Sequence, residues 1–76
     1  MSAVLSALKA LVSKIPFSKV AAFLAWAGKV AAAMANKSAA QVAKVVAYIK
    51  NNPGKVVTAF VNGTSIAKFI IDALSS

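Results

Sequence analysis

The chain has 76 residues, of which 61% are hydrophobic, and its formal net charge of +8 comes from nine lysines and a single acid, Asp72. A chain of this length forms one domain at most, residues 1–76, and disorder is a poor interpretation because disordered chains are poor in large apolar side chains. The chain has no His or Cys, so it cannot assemble the usual acid–base pairs, metal clusters or Ser-His-Asp triads. We therefore expect no enzymatic activity, no catalytic or metal-binding residues and no cofactor.

Lysines interrupt the apolar runs along the whole chain. They are Lys9, Lys14, Lys19, Lys29, Lys37, Lys44, Lys50, Lys55 and Lys68. Because a membrane-spanning helix needs about 20 mostly apolar residues, we expect no segment to cross a membrane. A secretory signal peptide carries its charge before the apolar part, whereas Lys9 falls within it. We expect a protein that, if secreted, leaves without a recognisable leader.

The first half of the chain predicts two helices. Ser2 is expected to cap the first, which Pro16 ends because the residue before a proline is pushed out of the helical region. The second runs from a cap at Ser18 to about Ala35, and Gly28 in its interior marks a candidate close helix crossing. The apolar residues expected inside are Val4, Leu5, Leu8, Leu11, Val12 and Ile15, then Val20, Phe23, Leu24, Ala27, Val30 and Met34.

The second half predicts three more helices. Ser38 to Gln41 ("SAAQ") fits a capping box for the third, which stops at Asn51. Asn52 is the expected N-cap of the fourth helix, with Pro53 at its first position and Asn62-Gly63 at its end. Thr64 or Ser65 starts the fifth, on which Lys68 and Asp72 can pair. The residues expected inside are Val42, Val45, Val46 and Ile49, then Val56, Val57, Phe60 and Val61, then Ile66, Phe69, Ile70, Ala73 and Leu74.

These elements predict an all-α fold. Alternation with period two is not sustained anywhere, and the one ambiguous run, "KVVTAFV", is bracketed by Pro53 and Gly63 as a helix would be. We expect a compact, saposin-like bundle of four to five short amphipathic helices around one core.

The lysines are the first candidate functional residues. One interpretation is a solvated face that keeps an apolar protein soluble, but such surfaces normally mix both signs of charge. A surface that is almost purely positive attracts polyanions, above all the anionic head groups of a bacterial membrane. The lysines expected to bind the membrane are Lys19, Lys29, Lys37, Lys44, Lys50 and Lys55.

Trp26 and Tyr48 are the candidate interfacial anchors. Trp26 precedes Lys29 by three residues and Tyr48 follows Lys44 by four, which suggests that each ring lies on the cationic side of its helix. Each ring either completes the edge of the core or settles at head-group depth beside a lysine. Helices of about 15 residues are about 22 Å long, so we expect them to lie in the interface rather than cross the bilayer.

Besides the binding of a bacterial membrane, two other classes of function stay open. A small basic bundle can bind nucleic acid or an acidic protein, although the chain has no Arg for bidentate phosphate or guanine contacts and few aromatics for base stacking. A membrane component of a phage or cell envelope is the other. We expect no specific nucleic-acid partner and a monomer in solution, with self-association on membranes left open.

The segment from Lys44 to Leu74, "KVVAYIKNNPGKVVTAFVNGTSIAKFIIDAL", resembles the leaderless bacteriocins of the aureocin and lacticin Q type. Their Lys-rich helix with aromatics, turn, aliphatic helix, Asn-Gly break and last amphipathic helix match Lys44–Lys50, Asn52–Lys55, Val56–Val61, Asn62-Gly63 and Ile66–Leu74. The resemblance implies a saposin-like fold, synthesis without a leader and killing of Gram-positive bacteria by membrane permeabilisation. The segment from Met1 to about Lys37 resembles the Ala/Val-rich helices of circular bacteriocins, and a linear and a head-to-tail circular backbone both stay open. We expect a secreted cationic antimicrobial protein that acts at the membrane of the target cell.

Overall fold

The chain folds into five α-helices within residues 2–76, the part that the computed structural model describes. Two 3-10 turns, Val12–Lys14 and Phe17–Lys19, connect the first helix to the second. The described residues contain no strand, which confirms the all-α prediction. The helices are α1 Ala3–Lys9, α2 Val20–Met34, α3 Ala39–Asn51, α4 Pro53–Val61 and α5 Ile66–Ser75.

Helix α1 is shorter than predicted. Ser2 caps it as expected, with its Oγ accepting a hydrogen bond from the N–H of Leu5 at 3.0 Å. The helix ends at Lys9, however, and the chain tightens into a 3-10 turn in which the N–H of Ile15 donates to the carbonyl of Val12 at 3.0 Å. Ile15 is extended (φ −103°, ψ 134°), because Pro16 excludes it from the helical region. Tightening the last turn to i→i+3 bonds is a common way to end a helix ahead of such a residue.

Helix α2 begins at Val20, after a 3-10 turn, and no side chain caps its first turn. The predicted cap at Ser18 is therefore wrong. The predicted close crossing at Gly28 is also wrong, because a Cβ built on Gly28 would meet nothing within 4 Å.

Helices α3 and α4 meet at Asn52 with only that residue between them. The predicted capping box is confirmed: Ser38 Oγ accepts from the N–H of Gln41, and Gln41 Oε1 accepts from the N–H of Ser38. Asn52 does not cap α4 through its side chain as predicted. Its Nδ2 instead donates to the carbonyl of Tyr48 at 3.2 Å, so the side chain satisfies the C-terminal end of α3.

Helix α4 ends in a Schellman motif built on Gly63. The N–H of Gly63 donates to the carbonyl of Phe60 and the N–H of Thr64 donates to the carbonyl of Ala59. Gly63 has φ +69°, the left-handed conformation that glycine adopts without steric cost. Ser65 then caps α5, with its Oγ accepting from the N–H of Lys68 at 3.2 Å, so both predicted boundaries are confirmed.

The five helices enclose one apolar core. Helix α1 packs on α2 and α3, and α5 packs on α3 and α2. The radius of gyration is 11.2 Å, close to the value of about 11 Å for a compact domain of this length. The residues that form the core are Val4, Ala7, Leu8, Leu11, Ile15, Phe23, Ala27, Val30, Met34, Val45, Ile49, Val56, Phe69, Ile70 and Ala73.

Most of the predicted interior is buried or half-buried, with two exceptions. Leu24 and Val61 were expected inside but are exposed on α2 and α4. Val61 is the last residue of its helix, where the chain turns away from the core at Asn62 and Gly63.

The segment Phe17–Met34 corrects one further expectation. Within the described residues, this segment, which comprises the second 3-10 turn and α2, is long and apolar enough to cross a membrane by length and composition, although Lys19 and Lys29 lie in it. Only 22% of the segment is buried in the bundle. Its 18 residues would be about 27 Å long as an ideal α-helix, slightly less than a bilayer core of about 30 Å. The core helix of a soluble protein can pass the same test, so length and composition do not by themselves assign a span.

Candidate functional site

All nine lysines are exposed, including the six that the sequence assigned to membrane binding. Those six are distributed over α2, α3, α4 and the segments that flank α2, rather than gathered in one pocket: Lys19, Lys29, Lys37, Lys44, Lys50 and Lys55. No charged or polar residue is buried among the described residues. The positive charge of the molecule therefore lies entirely at its surface.

Asp72 balances very little of this charge. It forms the predicted pair with Lys68 on α5, with 3.3 Å between Lys68 Nζ and Asp72 Oδ2. Both side chains are largely exposed, so the pair stabilises the fold by a few tenths of a kcal/mol at most. Since the chain contains no other Asp or Glu, the surface field is strongly positive and favours anionic partners.

Trp26 belongs to an aromatic cluster, which we define as Phe23, Trp26, Tyr48, Phe60 and Phe69. Phe23 and Phe69 are buried, and the other three rings pack against the core from its edge. The Trp26 ring lies 5.1 Å from that of Phe69 and 5.8 Å from those of Phe23 and Phe60, centroid to centroid. Its ring is half-buried and its Nε1 is buried without a hydrogen-bond partner. Of the two interpretations that the sequence allowed, a half-buried ring packed on Phe23 and Phe69 fits the edge of the core, and a role of Trp26 at the membrane stays a prediction.

Tyr48 lies at the edge of the same cluster. Its ring meets Phe69 edge to face at 5.9 Å and is half-buried. Tyr48 also lines a surface hollow that includes Lys55. Of the two predicted anchors, Tyr48 therefore lines a surface hollow together with a lysine in the closed bundle.

Several exposed apolar side chains were not among the predicted site residues. Phe17 is 94% exposed, the largest value among them, and Val61, Ile71 and Leu24 follow. Phe17 lies three residues after Lys14 and two before Lys19, so it presents an aromatic ring between two cations along the chain. Phe17 belongs to neither of the apolar stripes predicted for the first two helices. In the sequence, this was the signal that its side chain would be exposed.

The described residues include no group of three or more His, Cys, Asp or Glu that could hold a metal ion. In comparisons with known proteins, no family model matches the chain, and no curated protein or solved structure matches it. What the surface of the described residues offers chemically is nine exposed ammonium groups and four exposed large apolar side chains. Ammonium groups attract anionic surfaces, and exposed apolar side chains can enter an apolar layer.

Proposed function

We propose that this protein is a cationic antimicrobial protein, or bacteriocin, that binds the anionic membranes of bacteria and permeabilises them. The observation that carries the proposal is the exposure of nine lysines against one acid on a bundle with a wholly apolar core. The resemblance of residues 44–74 to leaderless bacteriocins supports the same function. We propose that it acts outside the producing cell.

Electrostatic docking is the first step. Each lysine near an anionic leaflet contributes about 1 kcal/mol, so four or five of them facing the membrane give useful affinity. This attraction decays over about 8 Å at physiological ionic strength. The proposed docking lysines are Lys19, Lys29, Lys37, Lys44, Lys50 and Lys55, and binding is expected to weaken as salt is added.

Apolar anchoring is the second step. Phe17 can enter the interface from the closed bundle, because its ring is exposed and flanked by cations. Tyr48 is half-buried beside the hollow that includes Lys55 and can reach head-group depth with little rearrangement. The buried indole N–H of Trp26 meets head groups only after the aromatic cluster separates, so the indole reports the opening of the bundle.

Opening of the bundle is the third step. The apolar faces of the helices contact one another in the closed bundle and contact lipid in the open one. Their burial from water is therefore largely retained while the helices separate. The buried indole N–H of Trp26 is relieved by this change, since it gains access to water or head groups at the interface. Helix α2 and its preceding turn are the segment with the most length and apolar character for insertion.

The direct test is release of a dye from vesicles. Phosphatidylglycerol vesicles are expected to leak at low salt and to leak less at high salt, whereas phosphatidylcholine vesicles stay sealed under both conditions. Absence of leakage from both lipids would contradict the proposal. A gel shift with nucleic acid that survives physiological salt, together with sealed vesicles, would instead favour the binding-module alternative.

The docking lysines are tested by replacing four of them at once. K19Q/K29Q/K44Q/K55Q is expected to lower partition into phosphatidylglycerol vesicles by roughly a hundredfold or more, at about 1 kcal/mol for each lysine. The matched control replaces the same residues by Arg, which keeps the charge and should keep the binding. Equal losses in both variants would mean that charge does not drive docking.

A further inference from the structure

An open groove runs between α1 and α3. Its volume is about 570 Å³, which lies within the range of about 300–1,000 Å³ typical of small-molecule sites. The α1 side presents small residues at helical spacing, Ala3, Ala7 and Ala10. Small side chains on that wall leave room for a slender ligand to lie along the helix.

The floor of this α1–α3 groove is apolar. Leu11 and Ile49 are both buried and both line it, and Val46 completes the α3 wall one turn before Lys50. Because no charged or polar side chain is buried among the described residues, the floor offers a ligand contact with methyl and methylene groups. A polar small molecule would lose its hydration there without compensation.

The rim of the groove is cationic. Lys14, in the 3-10 turn after α1, and Lys50, near the end of α3, both line it and both are exposed. No carboxylate is among the lining residues. An apolar floor with two ammonium groups at its rim is complementary to an amphiphile with an anionic head.

Two other hollows in the described residues lack this combination. The one beside Tyr48 contains Asp72 together with Lys55, so its charges oppose each other. The one between α2 and α5 is lined by apolar residues with a single lysine, Lys37. Charge complementarity therefore singles out the α1–α3 groove.

We propose that the α1–α3 groove binds one acyl chain of an anionic lipid or fatty acid, with the phosphate or carboxylate head held between Lys14 and Lys50. Each methylene taken from water multiplies the binding constant about fourfold, so affinity rises steeply with chain length until the groove is filled. The shared chemistry is an anionic head attached to an acyl chain. The inference deepens the proposed function, on which it rests for the choice of a membrane lipid, by naming what the closed bundle takes from the bilayer.

The test uses single-chain amphiphiles below their micelle concentration, so that no bilayer is present. Dodecanoate, lauroyl lysophosphatidylglycerol and lauroyl lysophosphatidylcholine are titrated into the full chain and followed by calorimetry. Binding of dodecanoate, of the lysophosphatidylglycerol or of both, at least tenfold tighter than the lysophosphatidylcholine, supports the proposal and identifies the head group. Binding of neither anionic probe, or equal binding of the lysophosphatidylcholine, would overturn it.

Three variants locate the site. K14Q/K50Q is expected to weaken binding of the anionic probes at least tenfold. Ala10→Phe fills the groove from an exposed position and should weaken the binding of all three probes. K9Q/K68Q removes the same charge outside the groove and should bind as the unmodified protein does. Unaltered binding by Ala10→Phe, with helical content preserved by circular dichroism, would show that the ligand lies elsewhere.

The outcomes of the two proposals separate cleanly. Vesicle leakage without binding of monomeric amphiphiles overturns the groove proposal and leaves the membrane function standing. Binding of the amphiphiles by a protein that does not permeabilise vesicles supports the groove and contradicts the membrane function.

Discussion

Phe17 is the most exposed large apolar side chain of the described residues, at 94%. Because its ring contributes little to the core, Phe17→Ala is expected to change the free energy of unfolding by no more than about 0.5 kcal/mol. The same substitution should weaken binding to phosphatidylglycerol vesicles about tenfold or more, since burying a Phe side chain is worth roughly 1.5–3 kcal/mol. Urea unfolding and vesicle co-sedimentation measure the two effects separately.

Phe23 provides the matched control, because the same side chain is 0% exposed there and contacts Phe60 edge to face at 5.2 Å. Phe23→Ala is expected to destabilise the bundle by about 3–5 kcal/mol, a large share of the stability of a small domain. Vesicle binding by Phe17→Ala that equals that of the unmodified protein would remove Phe17 as an anchor.

Trp26 shows why the neighbours of a residue in the sequence do not by themselves predict where its side chain lies in the fold. It lies three residues after Phe23 and three before Lys29, so on the helix its position is about 60° from each of them. The helical angle therefore left both placements open, and packing against Phe60 and Phe69 from other helices decided where the ring lies. Tyr48 was placed at the core edge by one of the two interpretations that its sequence position allowed.

Helix ends were predicted well where a local hydrogen bond or a backbone restriction decides them. Ser38, Pro53, Gly63 and Ser65 lie at the expected positions because each acts within three or four residues of itself. The end of α1 and the start of α2 were not predicted. There the chain bends through two 3-10 turns around Pro16, and that path depends on how Leu11 and Ile15 reach a core formed by distant helices.

Gly63 gives the prediction at the scale of the helix. It ends α4 with φ +69°, a conformation that disfavours a side chain by roughly 1–2 kcal/mol. Gly63→Ala is therefore expected to lower the free energy of unfolding by about that amount, measured by denaturant unfolding. A loss no larger than the error of the extrapolation would mean that the turn relaxes into another conformation.

Gly28 provides the control with the opposite sign. It lies within α2, exposed, and a Cβ there would meet nothing within 4 Å. Gly28→Ala is expected to stabilise the protein by about 0.4–1 kcal/mol, because Ala restricts the unfolded chain and favours the helix. The two substitutions add the same methyl group, so a shared sign would contradict the assignment of their backbone conformations.

At the scale of the whole molecule, composition predicted the charge of the surface but not the grooves in it. A chain with nine lysines, one acid and a largely apolar remainder must carry its charge outside, and the structure has every lysine exposed. The α1–α3 groove had no such signal, because it arises from the gap that two helices leave when Ala residues of one face aliphatic residues of the other. Which side chains flank a gap depends on the packing of the helices, and composition does not contain that information.

The opening of the bundle is testable through Val45, a fully buried residue on α3. Val45→Thr keeps the shape of the side chain but buries a hydroxyl, at a cost of about 1–3 kcal/mol in the closed core. Because the opened helices are expected to lie in the interfacial region, the hydroxyl there can bond to water or head groups at less cost than in the closed core, so opening should become on the order of tenfold more frequent. Vesicle binding at low salt should be unchanged, since the surface is unaltered, while dye release should become faster. Ala47→Thr adds the same side chain on the exposed side of α3 and should leave both quantities as they are. Slower dye release by Val45→Thr, in proportion to its loss of folded protein, would instead identify the closed bundle as the species that permeabilises the membrane.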